Sequence, residues 1–150
     1  MASKQLGLVL KINKDQEEAR RAEYLKAQQY LLESQTKLTG LSDFRLDYMK
    51  QLHERGKQGL GSDKFNQFQL FIAKIESAMV QQNQVINTAK QVVEQRKSLW
   101  LAQQTKTSAI AKLIEKQDVK IQQKLQKDEQ KMLDEYSTNA FMRLKKATLV

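Results

Sequence analysis

The chain contains no cysteine, which excludes disulfide staples, thiolate nucleophiles and cysteine-ligated metal sites, and fits a reducing, cytosolic setting. Proline is absent too, and only five glycines occur, three of them close together at Gly56, Gly59 and Gly61. A β-sheet protein needs turn residues every 8 to 12 positions or so, and this chain cannot supply them. Aromatic residues are only 7% of the total, which leaves little to fill a broad core. Long hydrophobic runs are also missing. The apolar run from Leu6 to Leu10 is too short for the apolar region of a signal peptide, and nothing approaches the ~20 apolar residues of a membrane span. The expectation is a soluble protein retained in the cytoplasm.

Good helix formers dominate instead: Lys, Glu, Gln, Leu and Ala. This is the composition of long helices with thin cores. The formal net charge is +9, which favours an acidic partner: nucleic acid, an anionic membrane or an acidic protein surface.

In the second half an apolar pair recurs every seven residues: Phe71/Ile72, Ala78/Met79, Val85/Ile86, Val92/Val93 and Leu99/Trp100, then Leu113/Ile114 after a polar break at Lys106/Thr107. Seven residues are two turns of a slightly under-wound helix, so the pairs form one stripe that drives left-handed supercoiling. Phe65, Phe68, Ile75, Ala89 and Ile110 complete the seam. No cap or breaker interrupts it after Ser62.

The reading is therefore all-α: a single antiparallel two-helix coiled-coil hairpin, with a first helix over about residues 4–55, a loop over 56–61 and a second helix over 62–145. The first helix carries its clearest seam at Ala27, Leu31, Ser34, Leu38, Leu41, Arg45, Tyr48 and Leu52. Gly40 is its weak spot, at about 1 kcal/mol relative to alanine. Nearer the N-terminus Leu6, Val9, Leu10, Ile12, Ala19, Ala22 and Leu25 spread over a broader face, where fraying is expected. The glycine segment supplies a helix C-cap and the turn. Ser62 is read as the cap of the second helix, with Asp63 favouring its positive end.

At 1.5 Å per residue the first helix spans ~75 Å and the second ~125 Å, so the second must overhang. With the loop centred near Gly59, Met1 falls opposite roughly residue 117. Beyond that lie Ile121, Leu125, Met132, Leu133 and Tyr136, with nothing left in the chain to cover them. Either another molecule covers this segment, or the segment is disordered alone and folds on binding.

Lys112, Lys116, Lys120, Lys124, Lys127 and Lys131 recur at spacings of four and three, which places six ammonium groups along one side of the helix. They dock an acidic surface, or they form a solvated flank partly neutralised by Glu115, Asp118 and Asp128. Phe44 and Tyr48, with Phe65, Phe68 and Phe71, gather near the loop; they are core at the closed end of the hairpin or, since five rings exceed what a two-helix seam buries, a partly exposed contact surface. Trp100 reads as core and His53 has no imidazole companion. No nucleophile triad, metal-ligand cluster or phosphate-binding glycine loop occurs, so neither an enzyme nor a cofactor is expected. The lysines lack the zinc, helix-turn-helix or aromatic pattern of base-specific binding, so no specific nucleic acid is expected.

Three segments together resemble the flagellar FliJ family, which is related to the YscO-type proteins of injectisomes. They are Leu41-Ser-Asp-Phe44 with Tyr48, the run from Gly59 to Ile72, and the run from Gln130 to Tyr136 with Met142 and Arg143. The resemblance extends over nearly the whole chain in length and order. It implies a coiled coil similar to the central stalk of rotary ATPases, whose open end enters the hexameric ring of the export ATPase and promotes its assembly and activity. It also implies contact with the cytoplasmic domain of the export gate membrane protein, and with export chaperones. On matching positions the gate-binding face comprises Leu41, Phe44, Tyr48, Phe71, Ile75 and Ala78. Gln82 carries an amide where relatives can carry histidine.

The segment that would enter the ring is the overhang, with Met132, Leu133 and Tyr136; the lysine row from Lys112 to Lys131 is assigned to the ring from its own chemistry, not from the resemblance. The expected protein is a monomer on its own, cytoplasmic and recruited peripherally to the inner-membrane export apparatus. The rival readings are a basic coiled coil that binds nucleic acid and a self-assembling structural coiled coil. Salt-dependent binding to any DNA would mark the former, and concentration-dependent dimerisation the latter.

Overall fold

The computed structural model describes residues 2–148, with side chains from Lys4 onward. Two helices account for nearly all of it: α1, Ala2–Lys57, and α2, Ser62–Thr148. No strand occurs among the described residues. Both helices extend a few residues past the sequence-based bounds, within the usual spread of helix ends. α1 starts at Ala2 and runs unbroken through Gly40, because one glycine costs less than the turns on either side supply.

The reversal takes four residues. The N–H of Gln58 donates to the Arg55 carbonyl at 3.1 Å and that of Gly59 to the Gly56 carbonyl at 3.3 Å. Gly59 alone has positive φ, 84°. The first helical bond of α2 runs from the Phe65 N–H to the Gly61 carbonyl at 3.0 Å, so the cap position falls at Gly61 and not at Ser62, which is already helical. Arg55 and Lys57 close α1, and Asp63 opens α2, each complementing the helix dipole. A Cβ at Gly59 would meet no atom within 4 Å, so Gly59→Ala is expected to cost only its backbone strain, about 1 kcal/mol. Gly61→Ala, with no positive φ to strain, should cost the cap preference of glycine over alanine, about 0.5 kcal/mol, and chemical denaturation of the two variants side by side checks the difference.

The chain forms two compact units, one of Gln16–Gln104 and the other of the N-terminal segment through Asp15 with the chain from Thr105 onward. In the first unit, α1 presents Tyr24, Ala27, Leu31, Ser34, Leu38, Leu41, Arg45, Tyr48 and Leu52, all buried or half-buried. α2 answers with Phe68, Ile72, Ile75, Met79, Gln82, Ile86, Ala89, Val93, Arg96, Trp100 and Gln103. Both series alternate steps of four and three. Of each apolar pair the second member faces inward, while Phe71, Val85 and Leu99 remain exposed. Successive helical positions differ by about 100°, so a two-helix seam takes one of each pair.

Polar groups fix the register. The Gln82 amide donates to the Ser34 carbonyl at 2.9 Å, Arg45 meets Glu76 at 3.8 Å, and Tyr24 stacks on Trp100 with ring centroids 5.5 Å apart. Ser34 and Gln82 are nearly equidistant from Gly59 and Arg45 and Glu76 roughly so, as a hairpin centred there requires, whereas the long rings of Tyr24 and Trp100 meet across an offset of six residues. Buried polar groups at seam positions select register and orientation at some cost in stability. No large side chain is fully buried among the described residues, so the core is thin.

In the second unit Leu6, Leu10 and Asn13 on α1, with Thr107, Ile110, Ile114 and Gln117 on α2, are buried or half-buried. The Thr107 hydroxyl donates to the Asn13 carbonyl at 3.3 Å and the Asn13 amide to the Val9 carbonyl at 2.8 Å. Lys106/Thr107 is therefore no break, because Thr107 is 6% exposed and keeps the seam in phase with a satisfied hydroxyl. The broader N-terminal face expected from the sequence narrows accordingly: Val9, Ile12, Ala19, Ala22 and Leu25 are exposed, and the seam instead takes polar Asn13.

Candidate interaction surfaces

Near the turn, in the unit of Gln16–Gln104, Phe44 and Tyr48 project from successive turns of α1, with centroids 5.0 Å apart. α2 brings Phe71 to 4.6 Å from Tyr48, stacked, and to 6.2 Å from Phe44, edge-on. Phe68 lies 5.8 Å from Tyr48, and the Arg55 guanidinium sits 5.4 Å over the Phe68 ring, a cation–π contact that closes the cluster at the loop end. Four of the five rings are thus one continuous patch. Phe65 stands apart, lining a groove with Met49, Leu52, His53 and Ile72.

Of the residues that the resemblance assigned to the gate, Phe44 and Phe71 present the most surface, 47% and 39% exposed. Leu41, Tyr48 and Ala78 are half-buried beside them. Ile75 is 6% exposed and belongs to the seam, where it holds the flank in place. Gln82 is equally buried, and its amide is spent on α1.

The same flank continues along α2 as a feature that the sequence reading passed over. Val85 and Leu99 are exposed and Val92 half-buried. Tyr30, 55% exposed, joins Ala27, Val85 and Val92 around a shallow groove. Lys90 is the single charged residue between Ser77 and Val93. The signal was available: these are the first members of the apolar pairs, which a two-helix seam has no room to bury.

Past Gln117 no described residue of α1 covers α2, which stays helical to Thr148. Lys112, Lys116, Lys120, Lys124, Lys127 and Lys131 are all exposed and make no ion pair among the described residues. None of them forms an ion pair with Glu115, Asp118 or Asp128. Met132, Leu133 and Tyr136 are 71%, 60% and 74% exposed, and Phe141 and Leu144 are exposed with them. Exposed apolar side chains on this scale, alternating with unpaired cations, are the chemistry of an interface.

Among the described residues no group of three or more potential metal ligands converges, and His53 is exposed on the rim of its groove. No helix is long and apolar enough to cross a membrane.

A family model described as flagellar FliJ protein matches residues 2–146. No curated protein and no solved structure matches the chain.

Proposed function

The chain belongs to the flagellar FliJ family, whose members are components of flagellar export, and from that premise we propose that it acts as the stalk-like coupling element of the export ATPase. The uncovered end of α2 enters the ATPase ring, promotes its assembly and activity, and links it to the export gate and its chaperones. The observation that carries this reading is the segment past Gln117: an unbroken helix with exposed Met132, Leu133 and Tyr136 and the last four lysines of the row, Lys120, Lys124, Lys127 and Lys131, with no partner among the described residues.

In this reading the protein contributes no chemistry of its own. A single chain inside a six-fold ring cannot touch all subunits equally, so its contacts favour different nucleotide states around the ring. Lys112 to Lys131 meet acidic groups of the ring, and Met132, Leu133 and Tyr136 meet apolar ones. Near the turn, Phe44 and Phe71, backed by Leu41, Tyr48, Ile75 and Ala78, form the apolar contact for the cytoplasmic domain of the gate protein. The protein is a cytoplasmic monomer until recruited to the membrane apparatus.

The test is to titrate the purified protein into the export ATPase of the same genome and follow ATP hydrolysis. The expected outcome is stimulation that saturates near one chain per six ATPase subunits. Absence of stimulation under conditions that permit hexamers would remove the stalk role and leave a passive adaptor.

A further inference from the structure

The heptad of the hairpin does not continue into the uncovered segment. Extended past Gln117, the seam positions would be Ile121, Lys124, Asp128, Lys131, Glu135 and Thr138, of which only one is apolar. A second coiled-coil strand laid along the same seam would face charges.

A different repeat takes over. Ile110, Ile121 and Met132 are separated by eleven residues, and so are Ile114, Leu125 and Tyr136. Eleven residues make three turns at about 3.67 residues each, close to the 3.6 of a straight helix and with a slight right-handed drift. The apolar stripe therefore runs almost parallel to the axis of α2. Ile110 and Ile114 are half-buried at its start, and its continuation is exposed: Ile121 52%, Leu125 57%, Met132 71% and Tyr136 74%. The third position of each repeat is acidic twice, at Asp118 and Glu129, then Ala140. These two carboxylates sit within the stripe, about 16 Å apart along the helix, and neither makes an ion pair among the described residues.

Charge decides what can cover this stripe. A second copy that sets Leu125 against Met132 and Ile121 against Tyr136 brings Glu129 beside Asp128 and Glu129 of that copy. A parallel copy in register sets Glu129 against its own counterpart. Like charges facing across a helix interface are unfavourable, and two chains of net charge +9 repel at long range as well. We infer that the stripe docks on a different protein, along a nearly straight apolar track that carries basic groups opposite Asp118 and Glu129. The lysines lie to the side and back of this stripe and are left for other contacts. The proposal rests on the stalk reading for the identity of that protein, and it adds a face, a repeat and a charge pattern that the lysine row does not contain.

The test uses the full chain and the purified export ATPase of the same genome, with affinity measured at fixed salt. Asp118→Lys with Glu129→Lys is compared against Glu115→Lys with Asp134→Lys, an equal charge change placed off the stripe. The first pair is expected to weaken binding at least about tenfold, the effect of setting cations against cations at an interface, and the second to leave it near the unaltered value. Leu125→Ser should weaken binding as well. Helix content and melting temperature guard against unfolding, which these exposed sites should not cause. Equal effects of the two charge pairs, or tighter binding by the first, would overturn the proposal alone. No binding by the unaltered chain would overturn the stalk reading together with it. A dimer in sedimentation equilibrium that Leu125→Ser abolishes would overturn it in favour of a second copy.

Discussion

Replacing Met132, Leu133 and Tyr136 together with alanine is expected to raise the concentration needed for half-maximal ATPase stimulation more than tenfold while leaving the fold intact. The three side chains are 60% to 74% exposed and have no partner in the chain, so their removal should change stability by no more than the ~0.5 kcal/mol typical of surface substitutions. Bound in a ring, each would bury an apolar side chain worth roughly 1.5–3 kcal/mol. Even a fraction of that sum exceeds the 1.4 kcal/mol that corresponds to a factor of ten. Circular dichroism and melting would confirm that the hairpin persists. Unchanged stimulation by a folded triple variant would count against these three side chains as ring contacts and leave Ile121, Leu125, Phe141 and Leu144 as the remaining exposed apolar groups of the segment to be tested in the same way.

Ile86→Ala is expected to lower the melting temperature by on the order of 10 °C, and Val85→Ala by much less. Ile86 is 5% exposed at the middle of the seam, whereas Val85, its immediate neighbour, is 37% exposed. Truncating a buried isoleucine costs roughly 2–5 kcal/mol in transfer and cavity terms, and at this chain length 1 kcal/mol moves the midpoint by about 2–4 °C. A thin seam has no second layer of side chains to collapse into the gap. Because the two residues are adjacent and of similar hydropathy, the comparison measures the phase of α2. Equal shifts would mean that α2 is rotated from the arrangement described.

The neighbouring pair Val85/Ile86 also shows where sequence reading reached its limit. Periodicity placed both residues on one stripe, and the spacing holds from Phe68 to Gln117. Which of the two faced α1 was not legible, because a pair of adjacent apolar residues covers about 100° of the helix and either could point inward. The omission hid a surface: Phe71, Val85 and Leu99, the outward members, form with Phe44 and Tyr30 an exposed apolar flank. Polar residues were misread for a related reason. Thr107 looked like an interruption and Asn13 was passed over, since hydropathy cannot foresee that a hydroxyl and a carbonyl from opposite helices will satisfy each other.

The sequence by itself determined that this protein is all helix, that it reverses at Gly59, that residues equidistant from that point pair, that the end of α2 has no cover, and which family the chain resembles. Those conclusions follow from local terms: helix propensity without proline, one stretch of glycines able to reach positive φ, and a seven-residue repeat that sums over many turns. Tertiary structure decided the rest. It selected Ile72, Ile86 and Val93 over their neighbours, put Gln82 on Ser34 and Thr107 on Asn13, and left Phe44, Phe71 and the six lysines exposed. These are properties of two helices in a particular rotational phase, and that phase is set by the joint fit of both seams, which neither helix carries alone.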